Sequence, residues 1–319
     1  MFLATVIIVL GFIGLIWGAD KFAFGASALA RNFGVSPLMI GLTIVAFGTS
    51  APEIFSSAVA AYEGKPELAI GNALGSNLFN VGIALGVAAV ISPLKPPESL
   101  ISKELPALLL VTFVAGALLV DRHLGVFDAI VLISITGYFG YRLFRKRIRS
   151  GAVPEIEESE LAEINSLQAI SYLILGLALL VLSAEALVEA ASNIAEQLNV
   201  STAIIGLTVV ALGTSLPELA ASVTCVLKGH HDLAIGNIVG SNILNLLAVL
   251  PFPGLLAAGA IDPSLLFRDY VGVLVLTLLL SYFSYRGIKK RKMIGRLHGI
   301  IFLSIYGAWF TLMLIQTQS

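Results

Sequence analysis

The chain has 319 residues, of which 57% are apolar and 12% charged, with a formal net charge of −1. Soluble domains carry about 25% charged residues, so this composition, with a mean hydropathy of +0.95, excludes a soluble globular enzyme and points to an integral membrane protein. The single cysteine, Cys225, excludes an internal disulfide framework and any multi-cysteine metal centre; no nucleic-acid partner and no resident cofactor are expected.

Ten apolar stretches follow in chain order, near 2–30, 37–62, 68–92, 104–120, 124–143, 167–198, 202–227, 233–259, 269–286 and 295–315. A helix needs about 20 residues to cross about 30 Å of hydrocarbon. The runs are continuous rather than alternating, so a β-barrel is not expected. The first stretch lacks a basic leader and runs on into Asp20 and Lys21, unlike a cleavable signal. With the first end outside, the inside loops hold 15 of the 19 Lys and Arg and the outside loops 3. That asymmetry predicts both termini outside. The connection at 144–166 begins basic and turns acidic. It reads as a solvated cytoplasmic linker, because Glu155, Glu157, Glu158, Glu160 and Glu163 lack the spacing of a calcium loop.

The chain repeats itself at an offset of 165. IGLTIVAFGTSAPE (40–53) returns as IGLTVVALGTSLPE (205–218), and LAIGNALGSNLFN (68–80) as LAIGNIVGSNILN (233–245). Across 40–80 and 205–245, 22 of 41 positions are identical without a gap, and Asp20 meets Glu185 as Val35-Ser36 meets Val200-Ser201. Each repeat is about half the chain, so the fold is a duplication and not a solenoid. Five stretches per half is an odd number, so the second half enters the membrane upside down. The predicted fold is an all-α membrane protein of ten transmembrane helices in two inverted five-helix repeats. The first occupies 1–143 (core 37–92), the linker 144–166, and the second 167–319 (core 202–259).

The polar residues inside the repeat carry the chemistry. Glu53 and Glu218 sit within apolar stretches, and no Lys or Arg occurs in 33–64, 66–94, 201–227 or 231–267. A carboxylate at such depth costs at least about 2.5 kcal/mol, so the pair must take up protons or bind a cation. Thr49 and Glu53 are four apart and share a helix face, as do Ser76 and Asn80; Thr214 with Glu218 and Ser241 with Asn245 repeat the pattern. A hard cation such as Ca²⁺ takes about 6–8 oxygen ligands. Pro52 has no N–H, so the Gly48 carbonyl loses its helical partner; Pro217 does the same to Gly213. Both runs should kink or unwind. Gly71, Gly75, Gly236 and Gly240 should let backbones approach. Asp20, Glu185 and Glu189 read as hydrated helix ends, His230-His231-Asp232 as a solvated turn, and Lys289 to Lys292 as a topology marker touching anionic lipid.

The paired GTSAPE and GTSLPE motifs, each followed by GSN-x-x-N, resemble the α-repeats of the Na⁺/Ca²⁺ exchangers. The likeness is to short prokaryotic members of the calcium/cation antiporter superfamily, and it covers nearly the whole chain. It implies Glu53 and Glu218 as central Ca²⁺ ligands shared with Na⁺, completed by the backbone oxygens of Thr49 and Thr214. It implies Ser50, Ser76, Ser215 and Ser241, with the carbonyls of Ala46 and Ala211, as Na⁺ ligands. Asn80 and Asn245 would lie at the centre, and the first and sixth spans would slide across the rest. It further implies an electrogenic antiporter in the plasma membrane, working as a single chain. One position departs: relatives often carry Asp where this chain has Asn245, which leaves two carboxylates and not three. Antiport of Ca²⁺ or another cation against H⁺ is the main alternative. The hydroxyl-rich shell favours Na⁺, and Gly71-Asn72 and Gly236-Asn237 are followed by Ala73 and Ile238 where proton-coupled relatives usually have Glu. A passive cation channel and a membrane enzyme are the remaining readings, the latter without any hydrolase motif to support it.

Overall fold

A computed structural model describes residues 2–149, 164–198 and 211–318. The chain is helical almost throughout. Helix α1 spans Phe2–Asn32 and ends before Gly34, whose φ is +60°. Ser36 then accepts the Met39 N–H and starts α2, Pro37–Thr49, with Pro37 in the first turn, where its missing N–H costs nothing. Helix α3, Ala51–Tyr62, follows at 44° to α2. Next come α4 (Pro66–Ile91), α5 (Leu100–Leu119) and α6 (Val126–Arg149). The second half begins with α7 (Ser166–Gln197), opened by a reciprocal cap between Asn165 and Gln168. After a helical turn at Ala211–Gly213 come α8 (Leu216–Leu227), α9 (His231–Leu256), α10 (Leu265–Lys289) and α11 (Arg296–Gln318).

Seven of these helices are long and apolar enough to cross a membrane, and the bent α2–α3 pair makes eight. The apolar part of α6, Val126–Tyr141, and α8 are shorter. The expected stretch 202–227 is described only from 211 onward, and most of the 144–166 linker, with its five glutamates, lies outside the described residues.

The repeat is visible in three dimensions. Two pairs of wide, π-helical segments recur at the same offset: Asn80–Leu85 with Asn245–Val249, and Leu100–Glu104 with Leu265–Tyr270. Strands β1 (His123–Leu124) and β2 (Gly259–Ala260) pair antiparallel, joining the end of α9 to the start of α6. The bridge between Leu94 and Ile294 joins the end of α4 to the start of α11. Each half's third long helix is thus tied to the other half's last. Helices α4 and α9 are the most enclosed, while α1 presents Leu10, Ile13 and Ile16 outward, as a lipid-facing helix should.

Helix α1 lies along α7 at backbone contact. A Cβ added at Gly176 would sit 2.3 Å from the Phe22 nitrogen, and one at Gly25 would sit 2.5 Å from the Leu173 nitrogen. Helix α9 approaches α2 the same way, since a Cβ at Gly236 would meet the Leu38 carbonyl at 2.6 Å. Among the described residues, a Cβ added at Gly71 would meet only the Leu265 side chain, at 3.9 Å, and one at Gly75 nothing within 4 Å. Main chain cannot yield as a flexible side chain can. Gly176→Val should therefore cost about 3 kcal/mol or more by overpacking and lower the melting temperature in detergent. Gly137→Val, with nothing within 4 Å of its added Cβ, should leave it near wild type.

Candidate functional site

The two proline-containing runs do not merely kink; they break. Helix α2 stops at Thr49, Ser50 stands at the junction with φ −84° and ψ 3°, and α3 starts afresh with Pro52 in its first turn. The second half repeats this with Ser215 at φ −96° and ψ 7° ahead of α8, with Pro217 in its first turn. Glu53 and Glu218 consequently occupy first turns, where the positive end of the helix dipole favours a carboxylate. Two new helix starts within the apolar layer thus supply part of the compensation that missing lysines and arginines would have given.

The halves meet at these carboxylates. The Ser50 hydroxyl donates to Oε1 of Glu218 at 3.2 Å, and the Ser215 hydroxyl donates to Oε1 of Glu53 at 3.0 Å. Each half therefore holds the other's glutamate. Ser215 Oγ also lies 3.1 Å from Ser76 Oγ. Nearby, the Asn80 amide donates to Oδ1 of Asn242 at 3.1 Å, and the Asn77 amide to the Asn242 carbonyl at 3.2 Å. All of Thr49, Ser50, Glu53, Ser76, Asn80, Ser215, Glu218, Ser241 and Asn245 are buried. The Ala46 carbonyl accepts the Ser50 N–H at 2.9 Å. Thr214 is partly buried, and of Ala211 only the backbone is described.

Several oxygens in this layer have no protein donor: Oε2 of Glu53, Oε2 of Glu218, Oδ1 of Asn80, Oγ of Ser241 and Oδ1 of Asn245. A buried acceptor left unpaired costs about 1–3 kcal/mol, and a charged one more. Such a set is stable when a cation completes it. Among the described residues no Lys or Arg pairs with either glutamate. Nor do three His, Cys, Asp or Glu side chains gather into a metal-binding group. Two carboxylates amid neutral hydroxyl, amide and carbonyl oxygens suit hard cations and not soft ones.

One expectation needs correcting. Thr49 and Glu53 do not share the face of one continuous helix, because the break at Ser50 lies between them. The Thr49 hydroxyl reaches the carbonyls of Val45 and Ala46 in its own helix and, in the other half, Oδ1 of Asn237 at 3.1 Å and the Glu218 carboxylate. Sequence reasoning also passed over Asn72, Asn237, Ser57, Ser222, Asn77 and Asn242. Asn72 Nδ2 donates to the Ser57 hydroxyl at 2.9 Å and to the Glu53 carbonyl at 3.0 Å, while Asn237 Nδ2 donates to the Ser222 hydroxyl at 3.2 Å. All six are identical across the repeat, and that identity at polar positions in apolar helices was the available signal.

The weaker candidates fall away from this cluster. Asp20 pairs with Lys228 at 2.5 Å and Lys21 at 3.5 Å in a partly exposed network. Glu185 and Glu189 are exposed. His230 stands at the turn before α9, where burial and then the Lys228 ammonium lower its pKa from the usual histidine range.

Comparison with known proteins agrees with this geometry. The profile of the family described as sodium/calcium exchanger protein matches residues 3–145 and 168–315. The candidate antiporter CaxA of Alkalimonas amylolytica is 41% identical over 315 residues, covering 96% of this chain and 97% of its own. The sodium/calcium exchanger MaX1 of Methanosarcina acetivorans is 29% identical over 344 residues, covering 96% and 97%. Among solved structures, the sodium-calcium exchanger NCX_Mj superposes with a TM-score of 0.83 at 32% identity, covering 98% of both chains. The architecture, the duplicated motifs and the family profile agree over nearly the whole length, and the chain belongs to the sodium/calcium exchanger protein family.

Proposed function

We propose that this chain is an electrogenic antiporter that exchanges Na⁺ for Ca²⁺ by alternating access. In this reading ten spans form two inverted five-helix repeats, 1–143 and 167–319. Both termini lie outside and the 144–166 linker is cytoplasmic, in a plasma membrane, with one chain sufficient. The observation that carries the reading is the reciprocal pairing of Ser50 with Glu218 and Ser215 with Glu53. It brings two charges from opposite halves to one locus and leaves one oxygen of each without a donor.

Ca²⁺ would sit between Glu53 and Glu218, whose two charges balance it, with the backbone oxygens of Thr49 and Thr214 completing the shell. Na⁺ would flank it on Ser50, Ser76, Ser215 and Ser241 and on the carbonyls of Ala46 and Ala211, with Asn80 and Asn245 between. Both ions need the same carboxylates, so loading one disfavours the other, and exchange follows from that competition. The glycine-packed α1–α7 pair would then move as one body across the rest, exposing the site to one side at a time.

The test is ⁴⁵Ca²⁺ uptake into Na⁺-loaded proteoliposomes diluted into K⁺ or Na⁺ medium. Uptake is expected only with the outward Na⁺ gradient, and valinomycin-imposed voltage should change its rate. Carboxylates without a basic partner also suit protons, so Ca²⁺/H⁺ antiport is the second reading. Uptake indifferent to Na⁺ but driven by a pH gradient would establish it instead, and the hydroxyl shell would then be packing.

A further inference from the structure

The glycine-packed body of α1 and α7 is not placed evenly between the halves. Helix α8 packs against both α1 and α7, whereas its repeat equivalent α3 makes no comparable contact with either among the described residues. The body therefore rests on α8 and stands clear of α3. One polar contact fastens it there. Lys228, at the C-terminal end of α8, meets Asp20 of α1: its Nζ lies 2.5 Å from Asp20 Oδ1 and 3.5 Å from the Asp20 carbonyl oxygen. Lys21 adds a second cation, 3.5 Å from Asp20 Oδ2, and stands 5.8 Å from the ring centres of Trp17 on α1 and Tyr172 on α7. The pair thus joins a moving helix to the far end of the helix whose first turn carries Glu218. Ten residues separate Lys228 from Glu218, about 15 Å along a helix, so the contact acts on the motion and not on the ion.

The duplication shows what the other side lacks. At the offset of 165, Lys228 corresponds to Glu63 at the end of α3, and Asp20 corresponds to Glu185 on α7. An attractive pair in one place is two carboxylates in the other. Glu63 is exposed and pairs with Lys65 at 2.7 Å, and Glu185 is exposed with no ion pair among the described residues. Moving the body onto α3, by the symmetry of the repeat, brings Glu185 toward Glu63. Like charges then oppose on that side what unlike charges favour on this one. We propose that Asp20 and Lys228 form a latch that holds the α1–α7 body on α8 and biases the ion-free protein toward the state closed at the end of α8 and open at the end of α3. In the orientation proposed above these ends are cytoplasmic and outer. The inference rests on the alternating-access reading and adds which state is favoured and what favours it. The Lys228 and Asp20 side chains are 33% and 40% exposed, so water screens the pair and the bias is a few-fold. That suits a carrier, which must leave the favoured state in every cycle.

The experiment measures the separation of α3 and α7 by double electron–electron resonance. Spin labels replace Tyr62 on α3 and Glu189 on α7, both exposed, in a Cys225→Ala background in ion-free nanodiscs. Wild type should show mainly the longer distance. Asp20→Asn and Lys228→Gln should each raise the ratio of short to long distances about two- to five-fold. The double variant should add little further, because either single change already removes the pair. Glu63→Lys, which sets a cation opposite Glu185, should raise the short population by itself. A contact that only stabilised the fold would lower the melting temperature without moving these populations. An unchanged ratio in the single variants, or effects that add in the double variant, overturns the proposal. Failure of the broader reading looks different: wild type would then keep one distance in Na⁺, in Ca²⁺ and in neither, and the latch would fall with it.

Discussion

Glu53→Gln and Glu218→Gln should each abolish Na⁺-gradient-driven ⁴⁵Ca²⁺ uptake while leaving the purified protein monodisperse. The physical reason is charge and not shape. Glutamine has nearly the outline of glutamate and can still accept the serine hydroxyl that crosses from the other half, Ser215 for Glu53 and Ser50 for Glu218. What disappears is one of two negative charges in a fully buried layer with no basic side chain paired to it among the described residues. Removing one partner of a buried ionic interaction costs about 3–5 kcal/mol, or about two to four powers of ten in affinity. The two variants should be similarly impaired, because each glutamate stands in the first turn of a helix after a break of the same geometry. Retention of more than about a tenth of wild-type uptake in Glu53→Gln, at Ca²⁺ well below wild-type half-saturation, would mean that the ion does not sit between these carboxylates. Full transport in Glu53→Gln with loss in Glu218→Gln would place Ca²⁺ in the second half alone.

Much of this arrangement was legible in the chain, and the part that was not has a physical cause. Apolar stretches mark helices here because a backbone in lipid must satisfy itself internally. Hence 68–92 and 167–198 anticipate Pro66–Ile91 and Ser166–Gln197 closely. The duplicated glutamates stood out because nothing nearby could neutralise them. The consequence of Pro52 and Pro217 was only half legible. A proline in an apolar run can bend a helix or end it, and the outcome depends on whether the flanking residue finds partners elsewhere. Ser50 and Ser215 find theirs in the opposite half, so the helices end, and Thr49 is freed from the face it would have shared with Glu53. Contacts between halves have sequence separations such as 162 and 168, beyond the reach of any periodicity. The asparagines at 72, 237, 77 and 242 were hidden for another reason: asparagine near a helix terminus is commonplace, and only the three-dimensional crossing of α4 and α9 shows that these lie mid-layer.

Breaking the reciprocal hydroxyl pair is the complementary experiment. Ser50→Ala and Ser215→Ala should each raise half-saturation for Na⁺ by about ten-fold or more, because a hydrogen bond to a charged group contributes about 1.5–3 kcal/mol. Ser215→Ala should be the more severe, since Ser215 also contacts Ser76 whereas Ser50 makes no second side-chain bond in this layer among the described residues. The informative quantity is the double variant. Sites that act independently add to within about 0.3–0.5 kcal/mol, whereas sites sharing a partner show coupling of about 0.5–3 kcal/mol. Ser50 touches Glu218 and Ser215 touches Glu53, so the two hydroxyls share no protein partner. Coupling between them passes through the two carboxylates, which act on each other directly by charge and through any ions they share. Non-additive loss of Na⁺ affinity in the double variant, absent from variants tested without Na⁺ competition, would therefore be evidence that the two carboxylates work as one cluster between the halves. Strict additivity would divide it into two separate sites, one per repeat, and the competition from which exchange is argued would lose its basis.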